Sequence, residues 1–126
     1  MGKRIQGGRY IVMAKYKNNH CRAGISNEVA KVIYAKGLKC YELGTNDYTG
    51  EVYLIFTKHG RHHITFSTGK RTSENERYLA IHNKRFFNWM DKHYNLGAEY
   101  NRVYFMLSDD MSNSNDYATF KIESKQ

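Results

Sequence analysis

Proline is missing altogether from this chain of 126 residues, and tryptophan occurs once. Without proline no turn is pre-set by a pyrrolidine ring, so Gly, Asn and Asp must make the bends. Two cysteines, Cys21 and Cys40, are too few for a disulfide framework. Acidic residues are the minority, 12 Asp and Glu against 20 Lys and Arg, which argues against an acidic mimic of DNA. No apolar run approaches the ~20 residues of a membrane span. The start MGKRIQGG lacks the apolar core of a signal peptide, and Gln6 stands where a myristoylation signal needs Ser or Thr. These absences lead to the expectation of a soluble, reduced, cytoplasmic protein.

What is present points to a β-containing domain. Hydrophobic residues are 40% and aromatics 14%, with 11 Tyr, a balance that favours tyrosine-bearing strands over a Leu/Ala-rich bundle. The length suits one core without staples. The net charge of +8 is uneven: residues 1–63 hold eleven Lys/Arg against four acids, and residues 64–126 nine against eight. An anionic partner is therefore expected, either nucleic acid, a nucleoprotein or an acidic protein surface.

The stretch 51–67, EVYLIFTKHGRHHITFS, is the best-specified piece. Val52, Leu54 and Phe56 alternate with Tyr53, Ile55 and Thr57, the period of a strand with two faces. Lys58, His59, Gly60 and Arg61 read as a hairpin turn with Gly60 free to take positive φ, and the alternation resumes through Phe66. Around it, residues 1–8 are a basic arm and 9–126 a single domain. Arg9–Tyr16 is a strand candidate and 17–22 a polar loop. Ser26 or Asn27 caps a helix that Gly37 stops, and Cys40–Leu43 is a short strand. Ser73 with Glu76 has capping-box spacing, so a helix starts there, or else Tyr78–Ile81 is a strand and the helix starts near Asn83. Phe86, Phe87, Met90 and Tyr94 form its apolar stripe, and Gly97 ends it. Arg102–Leu107 and Tyr117–Glu123 complete the strands, separated by a loop whose Asp109, Asp110 and Asp116 read as a solvated acidic turn. The expected fold class is α+β, a mainly antiparallel sheet of about six strands with two helices packed on one face. Its core is expected to hold Ile11, Met13, Val29, Val32, Ile33, Leu54, Phe56, Ile64, Phe66, Phe86, Met90, Phe105 and Phe120. Ile25-Ser26-Asn27 and Ile81-His82-Asn83, each followed by a helix and a hairpin, hint at an internal duplication.

The turn at 58–63 concentrates the chemistry. Cys40, His59, His62 and His63 offer thiolate and imidazole ligands to Zn²⁺, although exposed histidines on a basic loop account for the same residues and His62 and His63 alternate in direction along a strand. Basic residues of the arm, turn and next loop suit phosphate contacts: Lys3, Arg4, Arg9, Lys58, Arg61, Lys70 and Arg71. Tyr10, Tyr41 and Tyr53 are stacking faces or strand packing. No P-loop, triad or calcium-loop spacing is present.

Three resemblances accompany these residues. His62-His63-Ile64, Asn75 and His82-Asn83 resemble the residue order of HNH endonucleases. That resemblance implies His63 as general base, Asn75 as its orienter, and His62, His82 and Asn83 as metal ligands. The segment from Ile25 to Leu43 resembles the strand–helix–strand of AbrB-like DNA-binding regulators, without their proline and Gly-Asp pair. Finally, a short, proline-free, Asn/Lys/Tyr-rich chain is similar in type to phage and mobile-element accessory proteins, among them inhibitors of CRISPR–Cas nucleases. That likeness implies a non-enzymatic binder that docks on a Cas effector and blocks DNA loading. Its contacts would come from Arg9, Lys58, His59, Arg61, His62, Lys70 and Arg71, with no cofactor required. Direct DNA or RNA binding and a metal-dependent HNH-like nuclease are the alternatives.

Overall fold

The computed structural model describes residues 8–15, 21–67, 78–96 and 101–125. Their strands are β1 (Tyr10–Lys15), β2 (Cys21–Ile25), β3 (Cys40–Thr45), β4 (Val52–Thr57), β5 (His62–His63), β6 (Thr65–Ser67), β7 (Tyr78–Ile81), β8 (Arg102–Leu107) and β9 (Tyr117–Lys125). Helix α1 (Asn27–Lys36) follows β2, and α2 (Lys84–Tyr94) follows β7. The fold is α+β as expected, but the sheet has nine strands rather than six, in the order β5-β3-β4-β9-β8-β1-β2-β7-β6. The surplus comes from short segments with weak patterns. CRAGI (β2) carries one large apolar residue, and the run 62–67 breaks into two short strands at Ile64.

That break nearly closes the sheet into a barrel. β5 and β6 lie at opposite ends of the strand order, yet only Ile64 separates them in the chain. Ile64 is buried, and its N–H donates to the carbonyl of Lys39 at 2.9 Å. The two ends of the sheet are thus tied by the chain itself, which leaves only the short strands β5 and β6 as edges that could pair with another molecule.

Alternation fills the inside. Val52, Leu54 and Phe56 of β4 face inward beside Ala118, Phe120 and Ile122 of β9, and Ile11 and Met13 of β1 do the same. The buried residues of both helices, Val29, Ala30 and Ile33 of α1 and Phe86, Phe87 and Met90 of α2, join the same cluster. The expected core is therefore found, with two exceptions. Val32 only packs against the cluster's margin, and Phe66, 39% exposed, leans on Tyr34 outside it. Gly37 closes α1 in the left-handed conformation, but α2 ends at a left-handed Asn95, before Gly97, which lies outside the described residues.

The hairpin expected over 51–67 does not form. β3 lies between β4 and β5, with Cys40 paired to Thr57 on one side and to His63 on the other. Residues 58–61 are therefore a bridge that passes over the first residue of β3. The bridge works because Gly60 lies directly on Cys40: a Cβ there would sit 3.3 Å from the Cys40 Cβ and 3.4 Å from Thr57 Oγ1. Close approach rather than backbone conformation is what favours glycine at this position, since the positive-φ glycines are Gly8, Gly37 and Gly50.

The two halves of the chain repeat one topology, two strands, a helix and two strands. Exchanging β1 with β5–β6, β2 with β7, β3 with β8 and β4 with β9 returns the same ring of strands. Ile25 and Ile81 take equivalent places in the exchange, as the last residues of β2 and β7, each leading into a helix. The repeating unit is thus larger than the helix and hairpin read from the sequence.

Candidate binding groove

The most distinctive recess, about 340 Å³, lies where β3, the 58–61 bridge and the first turns of α2 meet. Strand alternation aims Tyr41 and Leu43 of β3 toward it from the core side, and Tyr41 is buried against the edge of Phe86 (ring centroids 5.9 Å apart) and beside His62. Burial pushes the Tyr41 phenol's pKa up, and a hydrogen bond with Asn83 pulls it partly back.

Asn83 organises this end of the groove. It is the N-cap of α2, and its Oδ1 accepts from the backbone N–H groups of Arg85 (2.9 Å) and Phe86 (3.4 Å). With the oxygen committed to the cap, the amide nitrogen is what faces His62 Nδ1 at 3.2 Å. An amide N–H only donates, so Nδ1 of His62 must be the unprotonated acceptor and its proton sits on Nε2. Arg61 and Arg85 line the groove as exposed side chains, and neither enters an ion pair among the described residues. Glu42 is the one carboxylate in the lining. Trp89, half-buried, completes it and is held by His93, stacked at 4.6 Å and 10°.

The residues anticipated at a hairpin tip are dispersed by the bridge. Arg61 and His62 reach the groove, whereas Lys58 turns to Asp116 at 3.1 Å. Arg9 sits on the β1–β8 side, paired with Asp109 at 2.9 Å. Lys70, Arg71, Lys3, Arg4 and Asn75 lie outside the described residues. Of the candidate zinc ligands, Cys40 and His63 meet, with Sγ 3.6 Å from Nδ1, and the thiol also points at the Gly60 carbonyl at 3.7 Å. His62 faces the groove and His59 is exposed. No cluster of three or more His, Cys, Asp or Glu among the described residues could hold a metal ion. In the HNH-like order, His62 and Asn83 come together while His63 turns to Cys40. Tyr10 packs on Tyr104, and Tyr53 donates to Glu51 at 2.6 Å.

Sequence reading missed Arg85 and Trp89. The available signal was their i, i+4 spacing just behind the Asn83 cap, which places both on one helix face. The acidic loop is solvated as expected at Asp109 and Asp116, although these pair with Arg9 and Lys58, whereas Asp110 is mostly buried against Lys36. Burial works to raise the pKa of Asp110. The Lys36 ammonium, with hydrogen bonds from Ser112 and Thr119, outweighs it and holds the carboxyl below its ordinary value.

No helix among the described residues is long and apolar enough to cross a membrane. Comparison with protein families, with curated proteins and with solved structures finds no match to this chain.

Proposed function

We propose that this protein is a non-catalytic binder of the phage or mobile-element type that acts on host nucleic-acid machinery, in its most concrete form an inhibitor that docks on a Cas nuclease and blocks DNA loading. The observation that carries the reading is the contrast in charge compensation. Arg9, Lys36 and Lys58 are each neutralised by the 109–116 loop, while Arg61 and Arg85 flank a recess lined by Tyr41 and Trp89 without an acidic partner among the described residues. Unpaired guanidinium groups beside aromatic rings are the usual equipment of a contact surface for an anionic partner. Direct binding of DNA or RNA is the second reading, favoured by the same pair of arginines. The HNH-like alternative draws less support, because it needs His63 to work with His62 and Asn83, from which it turns away.

The test is an order-of-addition cleavage assay with a guide-loaded Cas nuclease and its duplex target. The expected result is stoichiometric loss of cleavage when the protein is added before DNA, relieved by the double variant Arg61→Ala/Arg85→Ala. Full cleavage at excess protein would defeat the inhibitor reading. Metal-dependent nicking by the protein alone, lost in His63→Ala, would replace it with the nuclease, and tight, salt-sensitive binding of bare duplex with the regulator.

A further inference from the structure

We propose that the groove receives an unpaired nucleotide, with phosphate held between Arg61 and Arg85 and the base against Trp89, so that the nucleic acid contacted is single-stranded. This rests on the reading of the groove as the docking face and names what enters it. Three features of the site narrow the ligand.

The first is where positive charge resides. Helix starts often take anions on free N–H groups, but here Asn83 occupies those of Arg85 and Phe86. An anion must therefore be met by side chains, and the two guanidiniums offer planar paired donors that match phosphate oxygens. The second is the aromatic lining. An acidic peptide or a protein carboxylate would use the arginines but has no use for an indole at the groove wall, whereas a base gains stacking energy from it. His93, stacked on one face of Trp89, holds that ring in place before any ligand arrives. The third is the size and depth of the recess. About 340 Å³ is at the low end for ligand sites and suits one nucleotide unit. Bases inside a duplex are stacked and cannot reach a recessed ring, so the strand must be unpaired or locally splayed. One polar side chain completes the fit. His62, its Nδ1 occupied by Asn83, keeps Nε2–H as a donor to an acceptor on the base edge.

The single tryptophan makes the test direct, since Trp89 is the only indole in the protein and it lines the groove. Intrinsic fluorescence is followed while unlabelled single-stranded DNA or RNA of about 12 nucleotides, a length within the span of known single-strand sites, is added. Quenching of Trp89 is expected. Arg61→Ala/Arg85→Ala should weaken the affinity about tenfold or more and lower the salt dependence by about two phosphate contacts. Followed by anisotropy of a labelled strand, Trp89→Phe should retain binding and Trp89→Ala lose most of it. Arg22→Ala/Arg102→Ala, at a separate depression on the outer face of β1 and β2, should leave it unchanged. Unchanged affinity in the Arg61/Arg85 variant, or equal quenching by duplex or by a poly-glutamate peptide, would overturn the inference. Failure here leaves its own signature. If single strands do not quench Trp89 while nuclease inhibition persists and is lost in the Arg61/Arg85 variant, the groove binds protein and only this inference falls. If single strands bind as expected and no nuclease is inhibited, the inference stands and the inhibitor reading falls.

Discussion

The barrel has two pseudo-equivalent seams, and they have been finished differently. At one, β1 pairs with β8 over five residues, from Tyr10↔Met106 to Ala14↔Arg102. At the other, β5 pairs with β3 only at Cys40↔His63 and Tyr41↔His62. By these registers His63 corresponds to Tyr10, and His62 to Arg9. Two residues beyond the seam, the first half-site places Asp109 and the second Leu43. Asp109 neutralises Arg9, whereas Leu43 offers no charge to the arginines around it. The helix caps differ as well. Ser26 turns its hydroxyl away from α1 to accept from the N–H of Tyr10 at 3.0 Å, welding helix start to strand. Asn83 caps α2 and reaches His62 with its remaining nitrogen. One topology thus yields a sealed seam and an open one, and the groove lies at the open one.

The comparison breaks most severely if the shared centre is removed. Leu54 and Phe120 face each other where β4 meets β9, so both halves depend on that pair, and Phe120 also packs edge-on to Phe56. Phe120→Ala should cost about 3–5 kcal/mol, the range for a truncated core aromatic. Phe66→Ala, at a partly exposed ring, should cost under about 1 kcal/mol, as surface changes usually do. Urea unfolding measures both. Comparable losses would mean that the barrel does not share one core.

A smaller effect is expected at the bridge, which has no counterpart in the sealed seam. Gly60→Val would press a branched side chain on Cys40 and Thr57, and should destabilise by about 2 kcal/mol, the cost of moderate overpacking. The same substitution should disturb the groove, since Gly60 also lines it. A variant as stable as the parent would show that residues 58–61 do not cross β3 so closely.

Next comes the acidic loop that seals charge in the first half. Because the folded-state pKa of Asp110 is lowered, its contribution is complete above the ordinary carboxylate range and is lost as pH falls from about 4 toward the folded value. Asp110→Asn should therefore cost about 1–2 kcal/mol near neutrality, typical of charged hydrogen bonds in a mostly buried pair. The gap between variant and parent should narrow in acid. Denaturant midpoints taken at pH 7 and pH 3 check both statements, and a constant gap would mean that the carboxylate's charge contributes nothing.

How much of this was legible in the chain depends on the range of the interaction. Period-2 alternation in β4 and β9 and the stripe Phe86, Phe87, Met90 are local patterns, and each predicted its buried face. The helix starts were legible only as alternatives, Ser26 or Asn27 for α1 and Ser73 or a start near Asn83 for α2, and the observed N-caps are Ser26 and Asn83. Strand neighbours were not, because which strand lies beside β4 is decided by closure of the barrel through Ile64 and by a glycine thin enough to pass over Cys40. Local pattern favours a hairpin there, and tertiary closure overrides it. The groove suffered likewise. Its residues come from β3, the bridge and α2, and only the fold brings Arg85 and Trp89 to Arg61 and His62. The duplication was visible only as two identities, Ile25 with Ile81 and Asn27 with Asn83. The second does not keep its role, since Ser26 rather than Asn27 is the N-cap of α1; core positions exchange freely among apolar residues.

The finest distinction between the seams is a single atom, the amide nitrogen of Asn83. Asn83→Ala removes both the cap and the link to His62, and should cost about 1 kcal/mol, the usual loss for an N-cap. Asn83→Asp separates the two roles. Its carboxylate still accepts from the N–H groups of Arg85 and Phe86, and a negative charge at a helix start is favourable, so stability should be kept or rise slightly. Facing His62, however, an oxygen replaces a donor. His62 Nδ1 must then carry a proton, either by exchanging tautomers or by becoming imidazolium, and the carboxylate favours the charged form. Nitrogen NMR of His62 should accordingly show Nδ1 change from an acceptor signal to a protonated one at neutral pH, with the helix content unchanged. An unaltered His62 spectrum in Asn83→Asp would mean that the Asn83–His62 contact is not made in solution. The cap of α2 would then lack its contact with β5, whereas Ser26 ties the start of α1 to β1.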